Sequence, residues 1–174
     1  MERGVSPTVP GPTETSAKLR LRAAMEARDR AAAVDAFAPD AVVRSPFTGR
    51  LTFNGHEQIG ALIDVLFGTL NELRYTDQLV GDDEAFLVAT ARVGGSEVEM
   101  VDHLRLDEQG RIRELTVFFR PMPSIAVAMR VIASGLVRPR SPVRALAISL
   151  LTRPLGLLTS VGDRIGVRLV GPSL

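Results

Sequence analysis

The sequence contains no cysteine and no tryptophan, one tyrosine and only two histidines. The lack of cysteine excludes disulfides, thiolate nucleophiles and zinc or iron–sulfur sites built on cysteine, and makes the reducing cytoplasm the expected compartment. With two histidines and no ligand cluster at metal spacing, no metal and no cofactor is expected. Phosphate-cradling loops are missing too: Gly94-Gly95 reads as a hairpin turn with no helix after it, and no G-x-S-x-G elbow occurs. Nucleotide chemistry and serine hydrolysis therefore find no support. No apolar run reaches the roughly 17–25 residues that span a bilayer. Residues 1–16 hold Pro7, Pro10 and Pro12 among small polar residues, and read as a disordered leader rather than a signal peptide.

What is present suits one domain with appendages: 174 residues, 45% of them hydrophobic and 24% charged. The overall charge of +1 hides a split. From Met122 onward seven arginines face Asp163 alone, a net +6, which leaves −5 on residues 1–121. An acidic body and a basic tail call for a partner surface.

Apolar residues from Ala17 to Phe37 recur at near-helical spacing, interrupted around Arg28. This predicts two helices, with Asp29 as N-cap of the second. Ala41–Pro46 is a short strand stopped by proline. Asn54-Gly55-His56 is a turn, and Glu57–Leu70 a helix with Ile59, Leu62, Ile63, Leu66 and Phe67 at spacings of three and four. Three strands follow, Ala85–Val93, Glu97–Leu106 and Arg111–Arg120, the last two as a hairpin. That order predicts an α+β domain over 17–121 with helices on one face of a bent sheet.

Period-two alternation assigns the faces. Met100, Asp102, Leu104 and Leu106 share one side of their strand, and Leu115, Val117 and Phe119 one side of the next. Asp102 is then the one ionisable group on an apolar stripe. A carboxylate placed there must find a partner or take up a proton. Two readings stand: an acid with a raised pKa that serves a bound carbonyl, or a buried structural acid.

The run ARDRAAAVDAFAPDAVVRSP, the Asn54-Gly55 turn with its long helix, and VDHLRLDEQGRIRELTVFF together resemble the SnoaL-like and ketosteroid-isomerase-like branch of the nuclear-transport-factor-two-like superfamily, over residues 17–121. The resemblance implies a cone-shaped curved antiparallel sheet packed against N-terminal helices. It implies a homodimer through the outer sheet face and a hydrophobic small molecule, of polyketide or terpenoid type, in the mouth. In the isomerase branch a first-strand aspartate is the base, while a helix tyrosine and a strand aspartic acid hold the oxyanion. Here those positions fall on Ser45, near Leu21, and on Asp102. Serine without an activating neighbour is no general base and leucine donates nothing. The polyketide-cyclase branch uses a pocket aspartate as acid and base, a role open to Asp102. The limonene-epoxide-hydrolase branch fits poorly, with Met100 where its arginine is expected and Val117 or Phe119 where a second acid would lie. The implied site is catalytic Asp102 with Ser45, Met100, Leu104, Leu115, Val117 and Phe119 around the ligand. The competing reading is a non-catalytic ligand-binding or dimerisation module of the same fold.

Other polar candidates read more plainly. His103 alternates to the outer face, and His56 precedes a helix as a first-turn or solvent residue. Tyr75 is expected to pack with its hydroxyl toward water. Arg92 is placed at the surface, with a pairing to Asp102 as the alternative. The extension 122–174 divides at Pro139, Pro142, Pro154 and Pro172 into helices expected over Ile125–Leu136, Val143–Leu151 and Leu155–Leu169. These either pack on the acidic body or a second subunit, or lie on an anionic membrane surface. Without lysine or aromatic residues in the tail, nucleic acid is not an expected partner.

Overall fold

The computed structural model describes residues 17–139 and 141–170. The leader expected over residues 1–16 lies outside the described residues, as do Arg140 and Pro172. The elements are helices α1 (Ala17–Ala27) and α2 (Arg30–Asp35), strands β1 (Phe37–Arg44) and β2 (Thr52–Asn54), helix α3 (Gly55–Thr69), strands β3 (Leu70–Val80), β4 (Glu84–Val93), β5 (Ser96–Leu106) and β6 (Ile112–Arg120), and helices α4 (Met122–Val137) and α5 (Pro142–Val170). The six strands form one curved, unclosed sheet in the order β2-β1-β6-β5-β4-β3. Every pairing is antiparallel except β1 with β6, which is parallel.

Local chemistry explains most boundaries. Asp29 caps α2 as expected, its Oδ1 accepting from Ala32 N at 3.0 Å. β1 starts four residues before the Ala41 expected for it, and its pairing with β6 shifts register between Phe37 and Val42. Pro39 sits in that gap, where it has no ladder donor to lose. Gly94 and Gly95, at φ of 55° and 86°, make the two-residue turn between β4 and β5.

The core fills the space between the concave sheet face and α1, α2 and α3. Alternation along β4 buries Ala85, Leu87, Ala89, Ala91 and Val93, and along β5 buries Val98, Met100, Asp102, Leu104 and Leu106. Helix α4 closes over α3 and the sheet. Its Gly135 is required there: a Cβ on it would stand 2.7 Å from Val65 Cγ1, and helical valine is held in one rotamer. Gly135→Val is expected to push α4 off α3 at a cost of about 1–3 kcal/mol, seen as a lowered Tm in thermal unfolding. The last two expected helices are one: α5 runs through Pro154, an exposed position where loss of a backbone donor falls on the solvent side.

Candidate functional site

Between the concave face of the sheet and helices α1, α3 and α4 lies a cavity of about 110 Å³ whose lining is almost wholly apolar. Register builds its floor. β5 and β6 pair Met100 with Phe119, Asp102 with Val117 and Leu104 with Leu115. Met100, Asp102, Leu115, Val117 and Phe119 line the cavity, and so does Ser45 at the end of β1. Leu104 does not. It shares their face but is fully buried among core side chains, so the expected ligand contact is corrected to a packing role. Leu21 and Met25 of α1, Leu62 and Leu66 of α3, and Ile132, Ala133 and Leu136 of α4 complete the walls. The α3 stripe was legible only as core. The α4 wall gave no signal, because nothing in its sequence says which of its faces meets the sheet.

Asp102 is 6% exposed. Its partner is Tyr75, whose Oη donates to Asp102 Oδ2 at 3.2 Å, so the expectation of a wet tyrosine hydroxyl is wrong. The sheet makes the meeting possible. Tyr75 pairs with Ala89 on β4, which in turn pairs with Met100 on β5. Ala89 offers the inner face only a methyl group, leaving room for the phenol to reach the third strand. Register shifts between Tyr75 and Asp77, a bulge at Thr76 that weakens the ladder there. Helix α1 takes up the slack: Tyr75 N donates to Glu26 Oε1 at 2.9 Å and Arg22 Nη2 donates to Tyr75 O at 3.1 Å.

Burial pushes the Asp102 carboxyl up to about 6, against the opposing pull of the Tyr75 hydrogen bond. Burial, then the Asp102 charge, raises the Tyr75 phenol well above its ordinary range, so it stays protonated and donating. Tyr75 is the one hydrogen-bond partner of the Asp102 carboxyl among the described residues. The carboxyl thus keeps accepting capacity, and when protonated one donor, on the wall of an apolar cavity. Tyr75→Phe removes a hydrogen bond to the charged form. Asp102 should then titrate above about 6, read by carboxyl carbon NMR, with a stability loss of about 1–3 kcal/mol at pH 8.

The remaining polar candidates lie apart. Arg92 is exposed and donates to Gly95 O at 3.1 Å, so it does not pair with Asp102. Arg44 reaches the cavity rim but is engaged by Glu114 at 3.0 Å. Ser45 Oγ accepts from Phe47 N at 3.2 Å, which leaves its own proton free to donate. Phe47 folds over the mouth, edge to face with Phe119 at 5.6 Å. His56 Nε2 donates to Phe37 O at 2.9 Å, tying α3 to β1 rather than meeting solvent. His103 is on the outer face, stacked on Phe86 and 3.1 Å from Glu84. Among the described residues no group of three or more metal-ligating side chains converges, and no helix is long and apolar enough to cross a membrane.

A family model of the SnoaL-like domain matches residues 19–115, more than half of the chain. The protein belongs to the SnoaL-like domain family. No curated protein matches the sequence. Among solved structures, this SnoaL-like chain is similar to a steroid delta-isomerase from Pseudomonas aeruginosa, at 26% identity over 74% of this chain and 93% of that one, with a TM-score of 0.60. A protein with a ketosteroid isomerase-like fold from Catenulispora acidiphila, in complex with trimethylamine, is 19% identical over 63% of this chain and 89% of that one, at a TM-score of 0.52. The epoxide hydrolase/cyclase-like enzyme SalBIII, of pyran ring formation in the polyether salinomycin, is 16% identical over 60% and 88%, at a TM-score of 0.52. These likenesses show a nuclear-transport-factor-two-like fold.

Proposed function

We propose that this SnoaL-like protein binds a small hydrophobic carbonyl compound, of polyketide or terpenoid type, and isomerises or cyclises it by proton transfer through Asp102 without a cofactor. The observation that carries the reading is a lone buried acid, held on one side by Tyr75 and open on the other, in an otherwise apolar cavity. A carboxyl titrating near 6 is poised to take and return a proton at neutral pH. Ionised Asp102 removes the proton next to the carbonyl, leaving an enolate and a carboxylic acid. The same acid then delivers the proton to another carbon of the ligand. The Ser45 hydroxyl is the donor available to the enolate oxygen. The likeness to a steroid delta-isomerase and to a cyclase-like enzyme supports this reaction class. The cavity volume is on the scale that takes one small ring, so a larger ligand extends past Phe47 into solvent.

The competing reading is a binding or dimerisation module without turnover, favoured by Ser45 where the isomerase branch has its base and Leu21 where it has a tyrosine. Deuterium exchange beside the carbonyl of a β,γ-unsaturated cyclic ketone, followed by NMR with full-length protein, separates the two. Exchange above the buffer rate supports catalysis, whereas saturable binding without exchange supports the module. In either case we place the protein in the cytoplasm, on its lack of cysteine, as a homodimer through the outer sheet face. Phe118 is 56% exposed there, beside Val101 in the register. Phe118→Asp should yield monomers in sedimentation velocity, and an unchanged mass would remove that face as the contact.

A further inference from the structure

Helix α5 is built inside out for a water-soluble helix. Its inner side, toward α4, carries Ala145, Ile148, Ser149, Thr152 and Thr159, and Ala145 O accepts from Ser134 Oγ of α4 at 3.4 Å. Its outer side carries Leu146, Leu150, Leu151, Leu158, Val161 and Ile165, each at least half exposed. At 100° per residue those six fall within an arc of roughly 140°. A surface helix normally turns such a stripe inward, and exposed apolar side chains gathered in one arc mark a contact surface, here with Arg164 and Arg168 at the same helical positions as Leu146 and Leu150. The helix holds four arginines, Arg144, Arg153, Arg164 and Arg168, against Asp163, which by helical position falls opposite the stripe.

We infer that α5 is a monotopic anchor that lies along an anionic bilayer, its leucine stripe in the boundary between head groups and acyl chains and its net positive charge attracted by lipid phosphates. The combination of an apolar stripe, an excess of arginine and too little continuous hydrophobicity to span is that of an interfacial helix. Charge argues for lipid over a second copy of this chain. A two-fold contact would bring two helices of net positive charge face to face, a repulsive arrangement, while an anionic leaflet attracts each arginine near it. The anchor sets no requirement on the chemistry of the cavity and stands whether or not Asp102 moves protons.

Flotation of the full chain with vesicles tests it. Recovery is expected with phosphatidylcholine vesicles containing phosphatidylglycerol, falling with added salt and falling on pure phosphatidylcholine. Leu151 and Leu158 are 79% and 70% exposed, so Leu151→Asp with Leu158→Asp costs no core packing. The pair should weaken vesicle binding by about tenfold or more while leaving thermal unfolding unchanged. Absence of binding to the anionic vesicles, equal binding to neutral ones, or binding indifferent to the two substitutions overturns the inference. So does a self-association that the pair abolishes in a chain that never floats, which would make a second copy the occupant.

Discussion

Asp102→Asn is expected to lower proton exchange on a bound ketone by at least about a hundredfold with the fold intact. Asparagine matches aspartate in volume and keeps an oxygen for the Tyr75 hydroxyl, so neither the 3.2 Å contact nor the packing against Val117 and Leu87 is lost. What disappears is the ability to carry a proton, since an amide does not titrate in water's range. The comparison needs the ketone exchange rate for both proteins and a circular dichroism spectrum of the variant. Retention of the exchange rate to within a few-fold in a folded variant would show that the proton travels by another group.

The same substitution should also abolish a pH dependence of stability. Asp102 titrates at about 6 in the folded protein against an ordinary 3.8, because burial disfavours its charge. A group raised in this way contributes its full stability below about pH 3.8 and loses it as pH rises through about 6. The ionised form at pH 8 therefore costs the fold about 3 kcal/mol relative to the protonated form. Asp102→Asn carries no such cost. Urea unfolding should find it more stable than the parent at pH 8 by up to about 3 kcal/mol, and the gap should close toward pH 4. A gap independent of pH would mean that Asp102 titrates near its ordinary 3.8 in the folded state.

Asp102 was legible because β5 alternates strictly from Val98 to Leu106, and alternation fixes which face each side chain takes. The same logic gave Met100, Val117 and Phe119, and erred on Leu104 because alternation assigns a face and not a depth. Tyr75 was illegible for a definite reason. β3 reads LNELRYTDQLV, buries only Leu70 and Tyr75, and is broken by bulges, so it carries no period and was not recognised as a strand. What holds it is backbone pairing with β4 and the two α1 side chains that grip Tyr75, neither of which leaves a local pattern. Pro154 misled in the opposite direction. Proline is read as a stop, yet on an outward helix face its ring meets solvent and the helix continues.

Helix α4 has two neighbours with different business. Through Ile132, Ala133 and Leu136 it walls the cavity, and through Ser134 it seats α5. One helix thickness is all that separates the chamber from the outermost layer of the protein. A shift of the outer layer that carried α4 with it would reach the chamber through a single element. By thermodynamic reciprocity, such a coupling would let a guest that spreads the chamber alter how firmly that layer is held.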